Sequence, residues 1–85
     1  MQSLKKRSDL LVEEIEEEIV IYDPRTHRVH HLNPMASIIW ELFEVCSSPK
    51  EIAKEIVDVL KTDLSNVEKD VQETLGKLQR KGLLE

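Results

Sequence analysis

The sequence is poor in residues that carry chemistry and in residues that interrupt regular structure. Its 85 residues include one cysteine, two glycines, three prolines and three aromatic side chains. Cys46 therefore cannot form a disulfide within the chain, which favours a reducing compartment and predicts a cytoplasmic protein. With so few aromatics, aliphatic side chains must build the core, and one domain of this length buries only a small core.

Long apolar runs and an excess of positive charge are missing as well. Lys5, Lys6 and Arg7 are followed by acidic residues before any long apolar segment, so the start is neither a signal peptide nor a membrane span. The formal net charge is −5, which disfavours contact with phosphate backbones. We therefore expect no membrane association and no nucleic-acid partner.

Recognisable catalytic motifs are absent too. The sequence contains no GxGxxG, GxxxxGK[ST], HExxH or CxxC pattern. The acidic runs Glu13-Glu14 and Glu16-Glu17-Glu18 could form carboxylate pairs, but such runs are usually a solvated face. Nothing in the sequence supports an enzyme or a bound cofactor.

The N-terminal part of the chain predicts an antiparallel sheet. Residues 1–9 are polar and are predicted to form a flexible start, followed by a single domain over residues 10–85. Isoleucine and valine concentrate in three segments, as in strands. The predicted strands are residues 10–15, 18–23 and 27–32.

Two turns must connect these strands. Asp23-Pro24-Arg25-Thr26 is a good turn, because aspartate suits the first position and proline the second. Glu16-Glu17 lies between the first two strands without glycine or proline. A helix over residues 9–19 therefore stays open as an alternative.

Three helix starts follow the strands. In each, a short polar side chain can accept hydrogen bonds from the unpaired backbone amides of the first turn. We expect the first helix to end near Glu44 and the third to end before Gly82. In the third helix, Leu64 is expected to act as a hydrophobic staple before the cap, and Gly76 to mark a close packing contact. The three signals are Asn33-Pro34, Ser48-Pro49-Lys50-Glu51 and Ser65-Asn66-Val67-Glu68.

Apolar residues recur at helical spacing in all three helices. Each set predicts the face that is buried in the core. The sets are Met35, Ile38, Ile39 and Leu42, widened by Trp40 and Phe43; Ile52, Ile56 and Leu60, flanked by Ala53, Val57 and Val59; and Val67, Val71, Leu75 and Leu78.

The histidines and the cysteine are the remaining candidates for chemistry. On a strand, His27 and His31 share one face while His30 points to the other, and their spacing fits no zinc motif. Polar residues on an exposed strand are the favoured interpretation. Cys46 has no assigned histidine partner, and a packing role is favoured over a reactive thiol.

Strands followed by three short helices also suggest a winged-helix module, whose usual function is DNA binding. The third helix would read the DNA, but Glu68, Asp70 and Glu73 would repel phosphates and only Lys69 opposes them. A nucleic-acid-binding regulator is therefore the less favoured function.

The third strand is the other candidate for binding. If the strands pair in sequential order, residues 27–32 form an edge strand that can receive a peptide or a second copy of the chain. The alternative is an edge that Arg28, His30 and His31 protect from any pairing. The residues alone leave both interpretations open.

The order and spacing of several features resemble the PqqD family over about residues 10–84. The family comprises small proteins of pyrroloquinoline quinone (PQQ) biosynthesis, and its wider relatives are the recognition elements of peptide-modifying systems. The matching features are Leu32-Asn33, Ala36, Ile39-Trp40 and Leu42; Glu51-Ile52-Ala53; and Val71, Leu75 and Leu78 before Gly82-Leu83-Leu84.

The resemblance implies an α+β fold, in which a three-stranded antiparallel sheet precedes a three-helix winged-helix-like unit. It implies no catalytic residues. The family binds the leader of a ribosomally made precursor peptide and presents it to a modifying enzyme, a radical S-adenosylmethionine (SAM) enzyme in the quinone pathway. The leader pairs with the third strand and lies against the third helix. The peptide-binding residues implied here are Arg28, Val29, His30, His31, Leu32, Val67, Asp70, Val71, Thr74, Leu75 and Leu78.

Overall fold

The computed structural model describes residues 5–46 and 48–85. Three antiparallel strands precede three helices, and the sheet order is β1-β2-β3. The predicted α+β class is confirmed, whereas the winged-helix likeness of the helices stays a prediction. The elements are β1 (Leu11–Ile15), β2 (Glu18–Asp23), β3 (Arg28–His31), α1 (Pro34–Leu42), α2 (Pro49–Leu60) and α3 (Leu64–Arg80).

A two-residue turn joins β1 to β2. Glu16 and Glu17 have φ angles of 51° and 70°, and Ile15 pairs with Glu18 across the turn. Such hairpins need positive φ at both central residues, where glycine or asparagine is usual. This explains the weak turn signal, and the alternative of a helix over residues 9–19 is wrong.

The β2–β3 connection is held by the side chain of Asp23. Its Oδ1 accepts a hydrogen bond from the backbone N–H of Arg25 at 2.9 Å, as turn aspartates commonly do. His27 closes the loop with a φ of 58°, so β3 begins at Arg28 rather than at residue 27. The predicted turn is present, one residue longer than the sequence indicates.

The core lies between one face of the sheet and the helices. Alternate residues of β2 point into it, beginning with Ile19 and Ile21. Ser37 of α1 is also buried, where its hydroxyl accepts from the N–H of Ile19 at 2.8 Å and donates to the carbonyl of Leu32 at 3.3 Å. This hydroxyl satisfies the backbone where β2 and β3 meet α1.

Two of the three predicted helix caps are present. Asn33 accepts from the N–H of Ala36 at 2.8 Å, and Ser48 accepts from that of Glu51 at 3.2 Å. The third cap is Asp63 rather than Ser65, because the Asp63 carboxylate accepts from the Ser65 N–H at 2.8 Å. As a result α3 starts at Leu64. Leu64 is therefore the first helical residue and not the predicted staple before a Ser65 cap. Helix α1 ends at Leu42, two residues earlier than predicted.

The C-terminal end of α3 follows the sequence prediction. Gly82 has a φ of 79°, and the N–H of Leu83 donates to the carbonyl of Leu78 at 3.0 Å. This 6→1 bond beside a left-handed glycine is a Schellman motif. It turns Leu83 and Leu84 into the core, where both are buried.

The chain start packs against the chain end. The backbones of Lys5 and Glu85 exchange two hydrogen bonds, of 2.6 and 2.8 Å. Arg7 is buried, and its guanidinium reaches Asp23 and Asp9. A buried ion pair and backbone bonds hold residues 5–9 against the rest of the domain, while the division into a flexible start and a single domain over residues 10–85 stays a prediction. Residues 1–4 lie outside the described part of the chain.

The predicted apolar faces of α1 and α2 are only partly covered. Ile52, Ala53 and Ile56 are buried, but Val59 is 75% exposed and Leu60 is 48% exposed. Ile38 of α1 is 39% exposed. Their predicted burial is wrong, because the stripe is wider than the surface that neighbouring elements cover. Within the described ranges, no helix combines the length and apolar character needed to cross a bilayer.

Gly76 does not mark the close packing contact that the sequence suggests. A Cβ added there would touch only the flexible Arg80 side chain, at 3.4 Å. Gly76→Ala should therefore raise the free energy of unfolding by roughly 0.5–1 kcal/mol, as glycine is unfavourable inside a helix. Urea denaturation measures the change.

Gly82→Ala is the matched control for that substitution. Gly82 has open space around it but a positive φ, so alanine there should destabilise the domain by roughly 1 kcal/mol. Equal effects of the two alanines would show that helix propensity does not govern position 76.

Candidate functional site

Strand β3 is an edge of the sheet, with β2 as its neighbour. The N–H of Leu32 donates to the carbonyl of Ile19 at 2.9 Å. Because antiparallel residues alternate in the direction of their backbone groups, His30 bonds toward β2 opposite Ile21. The N–H and C=O groups of Val29 and His31 point away from the sheet, where a further strand can bind them.

The side chains of β3 also alternate between two faces. His30 lies opposite the buried Ile21 and is half-buried on the inner face. Val29 and His31 are exposed on the outer face, and Val29 is 61% exposed. Leu32, just after the strand, is buried in the core. An added strand would thus meet the imidazole of His30 on the inner face, and Val29 and the imidazole of His31 on the outer face.

The residues assigned to α3 divide into core and rim. Asp70 is exposed and Thr74 is half-buried, so both side chains can reach a ligand. The four apolar residues are nearly inaccessible and stabilise the domain first of all: Val67, Val71, Leu75 and Leu78. The part that all eleven residues play in binding stays a prediction.

This division predicts different outcomes for two α3 substitutions. Leu75→Ala should lower the free energy of unfolding by about 2–5 kcal/mol, because it empties a buried position. Asp70→Ala should leave the unfolding midpoint nearly unchanged. Urea denaturation of both variants checks this, and a large loss with Asp70→Ala would mean that α3 presents a different face to the core.

His30 lies in an unusual environment for a polar side chain at this edge of the sheet. Its Nε2 is buried and has no hydrogen-bond partner among the described residues. Burial lowers the pKa of His30, and the positive charges of Lys81 and Arg28 act in the same direction while Asp23 opposes them. The ring is therefore held neutral, with one unused hydrogen-bonding nitrogen on the inner face of β3.

The three histidines do not converge. His30 and His31 point to opposite faces, as the strand pattern predicts, but His27 lies in the loop with its Nδ1 3.0 Å from the hydroxyl of Tyr22. Among the described residues, no three His, Cys, Asp or Glu side chains are placed to hold a metal ion.

Cys46 packs beside the core rather than in a reactive site. It is half-buried against the apolar cluster. Burial raises the pKa of its thiol, and the negative charges of Glu55 and Glu51 raise it further. A thiol with a raised pKa is a poor nucleophile, so its environment fits a packing role.

Sequence reasoning missed the residues that hold the β2–β3 loop in place. Arg7 donates two hydrogen bonds to Asp23, at 2.8 and 2.9 Å, and two to Asp9, at 3.1 and 2.7 Å. It also donates to the carbonyl of Gly82 at 3.0 Å. Arg7 holds the pKa values of both aspartates below their usual range. Asp9 is two residues away, but Asp23 and Gly82 are far from Arg7 in sequence, so no local pattern could reveal the contacts with them.

Comparison with known proteins identifies what this architecture is similar to. A family model described as coenzyme PQQ synthesis protein D (PqqD) matches residues 18–84. A search of curated proteins found no match. The solved structure of TbiB1 in complex with the TbiA(beta) leader peptide is 31% identical, with a TM-score of 0.86, and the match covers 95% of this chain and 94% of that chain.

Two further structures share the fold at lower identity. Lasso peptide synthetase B1, complexed with a leader peptide, is 20% identical with a TM-score of 0.86 and 96% coverage of both chains. The PqqD truncation of Methylobacterium extorquens PqqCD is described as a functional, stand-alone recognition element for ribosomally synthesized and post-translationally modified peptides. It is 20% identical with a TM-score of 0.79, and the match covers 96% of this chain and 87% of that chain.

Proposed function

Because the chain belongs to the PqqD family, we propose that it is a peptide-binding adaptor. It binds the leader of a ribosomally made precursor peptide as an added strand on β3. It then presents the attached peptide to a modifying enzyme, a radical SAM enzyme if the product is PQQ. The adaptor supplies no catalytic residue, metal or cofactor of its own, and it acts in the cytoplasm.

The observation that carries this proposal is the free edge of β3. Val29 and His31 offer outward backbone groups that pair with any extended peptide, which accounts for affinity without sequence preference. Arg28, His30 and the rim residues Asp70 and Thr74 supply the side-chain contacts that select among peptides. TbiB1, at 31% identity, is named in complex with a leader peptide, which supports the same ligand class here.

The inner face of β3 suggests how a leader is selected. Leader side chains that point toward α3 would meet His30, whose Nε2 has no partner in the described structure. A peptide hydroxyl or amide placed there would satisfy that nitrogen and gain a buried hydrogen bond. Asp70 at the rim favours a basic leader residue nearby.

The same edge can also pair with a second copy of the chain. A homodimer formed in that way would hide Val29 and His31 and compete with the leader. Sedimentation with and without leader distinguishes the two, since the leader should return any dimer to monomer.

Amide hydrogen exchange tests the proposal directly. The N–H groups of Val29 and His31 should exchange quickly in the free domain and become protected when the leader binds, because they then donate to the added strand. The probe is the cognate leader peptide, and NMR follows each amide of the domain.

The opposite edge of the sheet provides the control. Because Ile19 bonds toward β3, the residues on either side of it on β2 bond toward β1. Their partners on β1 are Glu13 and Ile15, so the backbone amides of Val12 and Glu14 point away from the sheet. These two should exchange quickly with and without leader. Protection at Val12 and Glu14 without protection at β3 would place the peptide on the wrong edge and refute the proposal.

A further inference from the structure

A second surface of the domain is apolar and open, and it lies on α1 and α2 rather than on β3 or α3. It is a groove between α1 and α2 with a cavity volume of about 240 Å³. Ile38 and Leu42 line it from α1, and Ile56, Val59 and Leu60 line it from α2. All five belong to the apolar stripes of α1 and α2, and the rest of the domain leaves Ile38, Val59 and Leu60 exposed.

The exposure in this groove is large for so small a domain. Val59 and Leu60 are 75% and 48% exposed, although both continue the stripe of α2 that is buried at Ile52 and Ile56. A neighbouring cavity shares Leu42 and extends the groove to Val45, which is 78% exposed. Contiguous apolar surface of this kind commonly marks an interaction site.

The charge around the groove indicates what kind of binding partner it fits. Glu41 of α1 and Glu55 of α2 line the same cavity, and neither makes an ion pair with another residue of the described ranges. Two carboxylates beside an aliphatic floor favour a partner with aliphatic anchors and cationic flanks. A second copy of this acidic chain would bring like charges together, which disfavours self-association on this face.

We propose that the α1–α2 groove is a docking surface for a basic amphipathic helix of the peptide-modifying enzyme. Leucine-type side chains at helical spacing would fill the groove between Ile38 and Leu60, and lysines or arginines beside them would face Glu41 and Glu55. The identity of the partner rests on the proposed adaptor function. Because the leader uses β3 and the helix uses α1 and α2, both can be bound at once.

The test uses the intact protein and two designed peptides. The first is a short amphipathic helix of leucine and lysine, and the second replaces every lysine with glutamate. NMR titration should show the lysine peptide shifting the methyl signals of Ile38, Val59 and Leu60, with little effect of the glutamate peptide. Equal binding of both peptides, or shifts confined to β3, would overturn the proposal.

Charge reversal provides a quantitative readout. Glu41→Lys with Glu55→Lys should weaken binding of the lysine peptide roughly tenfold, because two attractive contacts become repulsive. Glu13→Lys with Glu73→Lys changes the net charge equally at other exposed positions and should have little effect. If both double variants weaken binding equally, the effect is one of overall charge and the groove is not the site.

Leader titration of the same variants separates this proposal from the adaptor function. Groove variants should retain leader affinity, whereas variants of the β3 edge should lose it and still bind the lysine peptide. Leader binding without groove binding would overturn only the docking surface. Groove binding without leader binding would overturn the adaptor function and, with it, the identity of the partner, but not the groove as a docking surface.

Discussion

Replacing Arg7 with methionine should lower the melting temperature by at least about 10 °C, the largest stability loss expected from one polar substitution here. The guanidinium donates to both oxygens of Asp23, and the Arg7 and Asp23 side chains are nearly inaccessible to solvent. Methionine keeps the apolar stem but leaves the Asp23 carboxylate buried without its counter-ion. Thermal unfolding followed by circular dichroism measures the change.

Arg25→Met is the matched control. The Nε of Arg25 lies 3.1 Å from Oδ2 of Asp9, a carboxylate that Arg7 also contacts. The Arg25 side chain is 62% exposed, so its loss should shift the melting temperature by only about 2–3 °C. Adding Asp23→Asn to Arg7→Met should recover part of the loss, because asparagine removes the unpaired charge and can still accept from the Arg25 N–H. An Arg7→Met variant that melts like the wild type would refute this account of the buried pair.

The same ion pair predicts how stability depends on pH. Arg7 lowers the pKa of Asp23 and of Asp9 in the folded state. The stability that these carboxylates contribute is therefore complete above their unfolded pKa of about 4 and is lost as the pH falls toward the lower folded values. The difference between wild type and Arg7→Met should shrink in acid. A constant difference between neutral and acidic pH would contradict the linkage.

Proline at His31 should abolish most leader binding while leaving the domain folded. The outward N–H of His31 has no partner strand among the residues that the structure describes. Proline therefore removes no bond of the described fold, but it deletes a donor to the added peptide and blocks its approach. Val29→Pro should behave in the same way. We expect at least about a hundredfold loss of affinity by calorimetric titration, on the scale of two or three kcal/mol for a lost donor and a steric block.

Two further proline variants make this result interpretable. His30→Pro removes a bond to β2 and should unfold the sheet, which tests the assigned alternation. Glu14→Pro places the same ring on the outward edge of β1 and should keep both fold and affinity. If His31→Pro stays folded and binds the leader as the wild type does, strand addition to β3 is wrong.

Local features of this protein were readable from the sequence because they depend on residues a few positions apart. The caps at Asn33 and Ser48 and the glycine stop at Gly82 are examples, as each involves neighbours within about one helical turn. The exception among the caps is instructive. Asp63 and Ser65 are both good capping residues two positions apart, and the local pattern could not choose between them.

The candidate site was only partly predictable, because sequence patterns report on residues a few positions apart and not on how distant segments pack. The edge position of β3 follows from sequential pairing of three strands, and the resemblance to PqqD pointed to it. Which amides face outward depends on the register with β2, and one residue of slip would reverse it. The loop position of His27 and the unpartnered Nε2 of His30 likewise depend on how β3 meets the rest of the fold.

The order of strands and helices, the apolar face of α3 and the absence of known catalytic motifs can be read from the amino-acid sequence, since periodicity and composition are properties of short segments. Three further features emerge only in the folded domain: Arg7 is buried with Asp23, Ser37 joins α1 to the sheet, and Val59 and Leu60 stay exposed. These outcomes depend on contacts between residues distant in the chain. A pattern can show that a face is apolar, but only the packing of other elements shows whether that face is covered.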